Sequence, residues 1–406
     1  MSNEINTGLP SWLRFSGEER ARLESIVGEN FKPIMDVYLL NRLRLNMQIR
    51  ALSWLKFNFQ AEDSRVFGQN TQPAPASQKD AMDLRLAYVQ VGSEEGPATL
   101  VAGRQSLTFG EGRLVGDPGW SNVGRSFDGA RLTLRHAKLK LDLFSAAWVK
   151  IDPVNFDEPM PGEHFDGAYG SLGGLVPNVT IEPYMFWRLE HNYKNEGGTL
   201  GNLDEKTVGL RWVGKLPAGL DYGAEFAGQT GSWAGDPIGA YMQHWVLGET
   251  LPDARHKPRF FVEYNRASGD DNPKDRYHGT FDPLFPIPHD MFGLTDLMCS
   301  SNIVYLRPGF QYTLRPRLTV GVAYDDYWLD SARDGLYIGG KSFVRNANGT
   351  AGTHVGQEAD VQGQWAISGA TTLNAGYGRL IPGEFLQRTT AGMPYNLFFL
   401  GLTQKL

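Results

Sequence analysis

LLNRLRLNMQIRALSWLKFNFQAE, running from Leu39 to Glu62, sorts its residues by twos. Leu43, Leu45, Met47 and Ile49 alternate with Arg42, Arg44, Asn46 and Gln48. After a turn near Arg50–Ser53 the pattern resumes, with Leu55, Phe57, Phe59 and Ala61 set against Lys56, Asn58, Gln60 and Glu62. Successive side chains of a strand point to opposite faces, so each strand has one apolar face and one wetted face. Upstream, Leu13, Phe15, Gly17, Ala21 and Leu23 alternate with Arg14, Ser16, Glu18, Arg20, Arg22 and Glu24. Downstream the pattern recurs near 82–93, 97–109, 126–136, 138–151, 165–175, 178–191, 204–215, 219–232, 238–249 and 257–268. It continues near 301–314, 317–330, 354–367, 371–382 and 394–406. These segments make about eighteen strands, each of the length needed to cross a bilayer on a tilt.

The connections alternate in length. Short ones fall near 50–53, 92–97, 136–138, 175–178, 214–219, 252–257, 315–317 and 368–370. Long ones fall near 25–35, 67–81, 110–125, 152–164, 192–203, 233–237, 269–300, 331–353 and 383–393; the one at 233–237 is barely longer than a turn. This rhythm predicts an all-β, up-and-down antiparallel transmembrane β-barrel, with short periplasmic turns, long extracellular loops and both termini on the turn side. By parity Trp212, Tyr312 and Trp365 face outward just before short turns, and Tyr264 and Trp328 face outward near long loops, as two aromatic girdles do.

Composition agrees. The chain has 406 residues, 48 of them glycine, and 12% aromatics. Charged residues are 21%, and no run approaches the roughly 18 apolar residues of a membrane helix. A barrel escapes that criterion because only alternate residues meet lipid. No linker divides the chain, so the expectation is a flexible segment over 1–10 and one outer-membrane barrel domain over 11–406. A β-propeller needs a recurring motif every 40–50 residues or so, and a soluble sandwich needs neither membrane-length strands nor a long/short rhythm. Net charge of -6 argues against a nucleic-acid partner, and the lone Cys299 excludes an intrachain disulfide or a cysteine-based metal site. Met1-Ser2-Asn3-Glu4 carries neither a charged start nor an apolar stretch, so a signal peptide is expected to have been removed.

Parity assigns the lumen a set of cations: Arg42, Arg44, Lys56, Arg85, Arg104, Arg131, Arg135, Lys140, Arg188, Arg211, Arg259 and Arg307. It also assigns acids, with Asp325, Glu358 and Asp360 forming an arc late in the chain. Eighteen strands enclose a lumen too wide for wall side chains to fill, so it holds water or loops. Guanidinium groups on one arc match carboxylates bidentately. A solute with one carboxylate per sugar can pass along such a series, held weakly at each step. Inner aromatics such as Tyr184, Phe186, Tyr305 and Tyr327 offer contacts to sugar faces or pack within the lumen. Ion pairing within the wall is the competing reading for each charge.

Three stretches carry a family resemblance: GRQSLTFGEGRLVGDPGWSNVGRSFDGARL (Gly103–Leu132), YNRASGDDNPKDRYHGTFDPLFPIPHDMFGLTDL (Tyr264–Leu297) and VGQEADVQGQWAISGATTLNAGYGRLIPGEF (Val355–Phe385). With the second and third strands, they resemble the alginate export family of bacterial outer-membrane porins over most of the chain. The resemblance implies a monomeric 18-stranded barrel whose arginine-rich pore passes an anionic polysaccharide outward. Arg104 of GRQ and Arg131 of FDGARL match family pore residues, as do Arg42 and Arg44 of NRLRLN. It also implies periplasmic scaffold or secretion proteins as partners, beside membrane lipid, lipopolysaccharide and the barrel-assembly machinery.

The loop over 269–300 is the candidate gate. Asp282, Phe285, Pro286 and His289 lie in a part apolar enough to fold back over or into the barrel. Asp270, Asp271 and Asp275 offer oxygens to Ca²⁺, although Asp, Asn, Pro and Gly are also ordinary turn formers. No cofactor is expected. An outer-membrane hydrolase needs a Ser/His/acid set within reach, and the histidines (136, 164, 191, 244, 256, 278, 289, 354) lie mostly near strand ends or in loops, outside any nucleophile motif. A general or closed structural barrel within a larger complex is the remaining alternative.

Overall fold

The structure is a computed structural model that describes residues 5–70, 74–195, 198–272, 274–289, 291–339, 341–346 and 348–406. Eighteen strands form the barrel wall. They are β1 (Leu13–Val27), β2 (Met35–Leu52), β3 (Leu55–Phe67), β4 (Asp80–Val91), β5 (Ala98–Gln105), β6 (Phe127–His136), β7 (Leu139–Lys150), β8 (Glu163–Gly173) and β9 (Val179–Lys194). They continue as β10 (Leu200–Lys215), β11 (Leu220–Trp233), β12 (Asp236–Thr250), β13 (Arg259–Ala267), β14 (Ile303–Arg315), β15 (Leu318–Trp328), β16 (His354–Ala366), β17 (Thr371–Pro382) and β18 (Tyr395–Lys405). Each pairs antiparallel with its neighbours in sequence. β1 pairs with β18, Leu23 opposite Leu400 and Ala21 opposite Leu402, so the sheet closes and has no open edge.

Period two places the side chains. Leu45, Val208, Leu247, Phe398 and Leu400 stand exposed on the outer face, while the neighbouring Arg42, Arg211 and Glu358 are buried on the inner face. A belt of exposed leucine, valine and phenylalanine costs little when its surroundings are acyl chains. Outward Trp212, Phe226 and Trp245 cluster, with Trp245 edge-on to both partners at 6.0 and 5.0 Å. No helix among the described residues is long and apolar enough to cross a membrane; the strands do so.

Both termini lie on the side of the short turns. Two connections depart from the expected rhythm. The one expected at 192–203 shortens to 195–199, because the flanking strands extend to Lys194 and from Leu200. The long one expected at 233–237 is a two-residue turn, Ala234 and Gly235, both at positive φ (53° and 87°), with Trp233 paired to Asp236. Positive φ at both central residues matches the twist of the flanking strands. Two long connections hold further structure: a hairpin of Gly335–Ile338 with Lys341–Arg345, and a helix α1, Glu384–Thr389, that buries Phe385 and Leu386. Of the amino-terminal segment, residues 1–4 lie outside the described residues. Asn6 brackets Phe15, accepting its N–H at 2.9 Å and donating to its carbonyl at 2.8 Å.

The hydrophobic core sits inside the barrel. Phe127, Phe144, Phe165, Tyr169, Tyr184 and Phe186 line one wall, Tyr305 and Tyr327 another. The connections 106–126 and 268–302 enter the lumen and pack Leu107, Phe109, Leu114, Phe281, Phe285, Phe292 and Leu294 between them. Phe109 stacks on Phe144 at 5.2 Å and on Tyr169 at 5.0 Å. Burying each such phenylalanine contributes about 1.5–3 kcal/mol, enough in sum to hold loops that would otherwise be solvated.

Candidate functional site

Arginines of the wall hold the first interior loop, residues 106–126. Arg20 donates to the carbonyls of Gly119 (2.7 Å) and Ser121 (2.8 Å). Arg42 reaches the same two carbonyls at 3.2 and 3.1 Å and pairs with Glu18 at 2.7 Å. Arg22 donates to the Trp120 carbonyl at 2.6 Å, with its guanidinium 3.5 Å above the indole. Asn122 spreads its amide over the carbonyls of Asn41, Arg65 and Gln78. On the far side Arg113 meets His244 of β12 at 3.2 Å and Asn265 of β13 at 3.3 Å. The loop therefore crosses the lumen from β1–β2 to β12–β13.

The second interior loop, 268–302, pairs with the first. Gly116 N–H donates to the Phe285 carbonyl (2.9 Å), Phe285 N–H to the Leu114 carbonyl (2.8 Å), and Ile287 N–H to the Gly112 carbonyl (2.8 Å). His289 stacks on Trp120 at 3.7 Å, its Nδ1 2.9 Å from Asp296. Asp282 pairs with Arg188 at 2.6 Å. At the acidic arc Glu358 accepts the Thr295 N–H and hydroxyl, both at 2.8 Å, and Asp360 accepts the Leu294 N–H at 3.0 Å. Asp325 lies 3.4 Å from Arg307. Gly293 stands beside this arc at φ 88°, where a Cβ would come within 2.5 Å of the Tyr327 hydroxyl and 2.7 Å of Glu358.

Of the residues expected to line the pore, Arg42, Arg44, Arg85, Arg131, Arg188, Arg211 and Arg259 lie on the inner face, most of them engaged rather than free. Arg104 does not, because it alternates with the inward Val101 and Gln105 and stands opposite Asp128 on the other face of the sheet. Arg44 and Arg85 pair with Glu62 and Asp117 respectively. Arg104 grips Asp128 with two bonds, at 2.9 and 3.0 Å. Arg188 sits among Asp282, Glu190 and Glu163. Arg211 joins Glu111 (2.6 Å) and Glu182, and Arg259 joins Asp221 at 2.7 Å. Arg131 makes no ion pair among the described residues, and its Nε is buried without a hydrogen-bond partner. The expected Ca²⁺ ligands do not converge: Asp270 accepts the Asn272 N–H and Asp275 the Tyr277 N–H, as turn aspartates do.

The loops separate two basins. The periplasm-side basin, about 1130 Å³, includes Lys138, Lys215, Arg211, Arg259 and Arg307 in its lining, with Glu111, Asp221 and Glu263. The external basin, about 730 Å³, includes Arg125, Arg188, Tyr193, Trp233, His278 and Asp282. Arg125 donates to the carbonyls of Gly116 (2.7 Å), Phe285 and Pro286 (3.1 Å), and makes no ion pair among the described residues. Burial pulls it down to about 10, so it remains a cation at neutral pH. Beside it, Tyr193 stacks on Trp233 at 4.9 Å and His278 lies 5.1 Å from the same indole. Trp233 Nε1 and both His278 ring nitrogens are buried and have no hydrogen-bond partner among the described residues. Buried polar groups in proteins are nearly always satisfied, so three orphans around an aromatic platform mark a place for a polar ligand.

Parity missed Arg20 and Arg22 as clamps, Arg113 and Arg125 as loop cations, and the Tyr193–Trp233–His278 platform. It also assigned the lumen one interior loop where there are two. The available signal was GEGRLVGDPGWSNVGR (110–125), where two arginines and a tryptophan interrupt a Gly-rich stretch.

A family model described as alginate export matches residues 11–397. No curated protein sequence matches. Among solved structures, Pseudomonas aeruginosa OccK11 (OpdR) is similar at a TM-score of 0.65 and 13% identity, covering 97% of this chain and 96% of that one. OccD3 (OpdP) of the same organism gives 0.65 and 12% over 98% and 92%. OccK2 (OpdF), solved in complex with glucuronate, gives 0.63 and 11% over 97% and 98%.

Proposed function

This chain belongs to the alginate export family and is a bacterial outer-membrane channel, and from that premise we propose that it passes anionic saccharides, uronates or short uronate oligomers of the alginate type. One observation carries the reading: Arg125, whose guanidinium hydrogen-bonds only to carbonyls among the described residues, faces the external basin beside an aromatic platform with unpartnered polar atoms. A uronate offers a carboxylate for the guanidinium, hydroxyls for Trp233 Nε1 and His278, and an apolar ring face for the indole. The glucuronate bound to OccK2, a barrel of the same fold, supports this chemistry. Lys138 and Lys215, without carboxylate partners among the described residues, hold positive charge at the periplasmic mouth.

The test is current block in planar bilayers. Glucuronate or an oligouronate added on the loop side blocks the wild type, and glucose at the same concentration does not. Arg125→Gln raises the blocking concentration about tenfold or more, the effect of losing a charged hydrogen bond. Equal block by glucose and glucuronate overturns the proposal. The loops bonded across the lumen favour a second reading, a barrel closed at rest and opened by a partner. Wild-type conductance near zero that rises on removing 270–298 selects it.

A further inference from the structure

β4 begins with a defect that aims two aspartates the same way. Opposite β3, Glu62 pairs with Asp83 and Ser64 with Asp80, so residues 81 and 82 face the single residue 63. Met82 takes the strain at φ 50°, and its N–H goes to Asp63. Such bulges re-aim side chains. Here Asp80 and Asp83, which strict alternation would place on opposite faces, both turn inward, 2% and 4% exposed. Asp157, from the connection between β7 and β8, completes a group whose ligand oxygens all lie within 4.8 Å of one another.

These carboxylates are not explained by the protein's own hydrogen bonds. Asp83 accepts the N–H groups of Asp157 (2.6 Å) and Leu84, and Asp157 accepts the Asp152 N–H at 2.7 Å. Asp80 accepts no side-chain hydrogen bond among the described residues: its Oδ1 is buried and unpartnered, within reach of two other carboxylates. The neighbouring Arg104 is committed to Asp128, and its approach to Asp83 is 4.0 Å. Three carboxylates with one shared guanidinium repel one another, and either a proton or a cation between them relieves that repulsion. One ion with oxygens at about 2.3–2.6 Å spans pairs up to about 5 Å apart.

We propose that Asp80, Asp83 and Asp157 bind one Ca²⁺ at the extracellular end of the wall, tying the connection 151–162 to β4. All-oxygen, carboxylate-rich donors suit a hard cation, and an incomplete protein shell leaves positions for water, which Ca²⁺ tolerates in irregular geometry. Affinity belongs to the extracellular range, on the order of 10⁻⁴–10⁻³ M.

The experiment uses the full barrel refolded in detergent without lipopolysaccharide, stripped with chelator, then titrated calorimetrically with CaCl₂. The wild type takes up one Ca²⁺ per chain, and hydrogen exchange over 151–162 slows at least threefold. Asp80→Asn and Asp157→Asn each abolish that uptake, while Asp270→Asn keeps it. In calcium-free buffer Asp80→Asn melts no lower than the wild type, because it removes an unpartnered buried charge; heat-modifiable gel mobility shows that each variant is folded. Absence of uptake by the wild type, uptake unchanged in both variants, or a lower melting point for calcium-free Asp80→Asn overturns the proposal.

Discussion

Removing the Glu358 side chain should unlock the second interior loop. Glu358 accepts two hydrogen bonds from Thr295, each at 2.8 Å, and is fully buried beneath the loop. A neutral hydrogen bond contributes about 0.5–1.5 kcal/mol net, and one to a charged group about 1.5–3. The shared value of about 1.5 applies, because docking the loop strips water from Glu358 beside Asp325 and Asp360. Two bonds then give about 3 kcal/mol, or roughly a hundredfold in the ratio of docked to released loop. Glu358→Ala in single-channel recordings should therefore show the high-conductance level about a hundred times more often than the wild type. Tyr305→Phe removes one neutral bond, to the Met291 carbonyl at 2.7 Å. That is worth about 1 kcal/mol, and the expected rise is about fivefold. Folded Glu358→Ala that gates like the wild type, or Tyr305→Phe that opens the channel more than Glu358→Ala does, refutes the docked loop as the gate.

Gly293→Ala should open the same loop without touching a wall residue, since its φ of 88° and the Tyr327 hydroxyl at 2.5 Å leave no room for a methyl; unchanged conductance would argue against the docked geometry. Trp120→Ala removes the surface on which both His289 and Arg22 rest, and proteolysis within 106–126 should become at least tenfold faster, with the barrel's melting point nearly unmoved. Replacing Arg104 and Asp128 together by glutamine and asparagine removes a matched pair and should leave ion selectivity unchanged. Arg131→Gln removes an unpaired lumen charge and should lower the anion-to-cation permeability ratio about twofold or more; the reverse order in reversal potentials contradicts the pairing described here.

Alternation was legible because it is local. Leu43, Arg44 and Leu45 declare their faces without knowing their neighbours, and each of the eighteen expected segments holds a strand, although the one expected near 97–109 ends at Gln105. The turn at Ala234–Gly235 was harder, since a connection's length is blurred by fraying of the pattern at strand ends. Parity also fails at a bulge, so nothing in the order of residues near Met82 revealed that Asp80 shares the face of Asp83. The interior loops lay furthest from view. Parity states that Arg42 faces the lumen, not that it holds the Gly119 carbonyl; and Arg104, assigned to the lumen as well, is bound by Asp128 on the other face of the sheet. Those partners come from 77 and 24 residues away along the chain, and a loop that returns into a barrel carries no period to betray it.

The most direct test of the channel as an anion pathway is its reversal potential in a planar bilayer under a tenfold KCl gradient. An anion-selective lumen gives a potential on the chloride side of zero, shifted toward zero when Arg125 and Arg131 are both changed to glutamine. A wild-type channel that prefers potassium contradicts it.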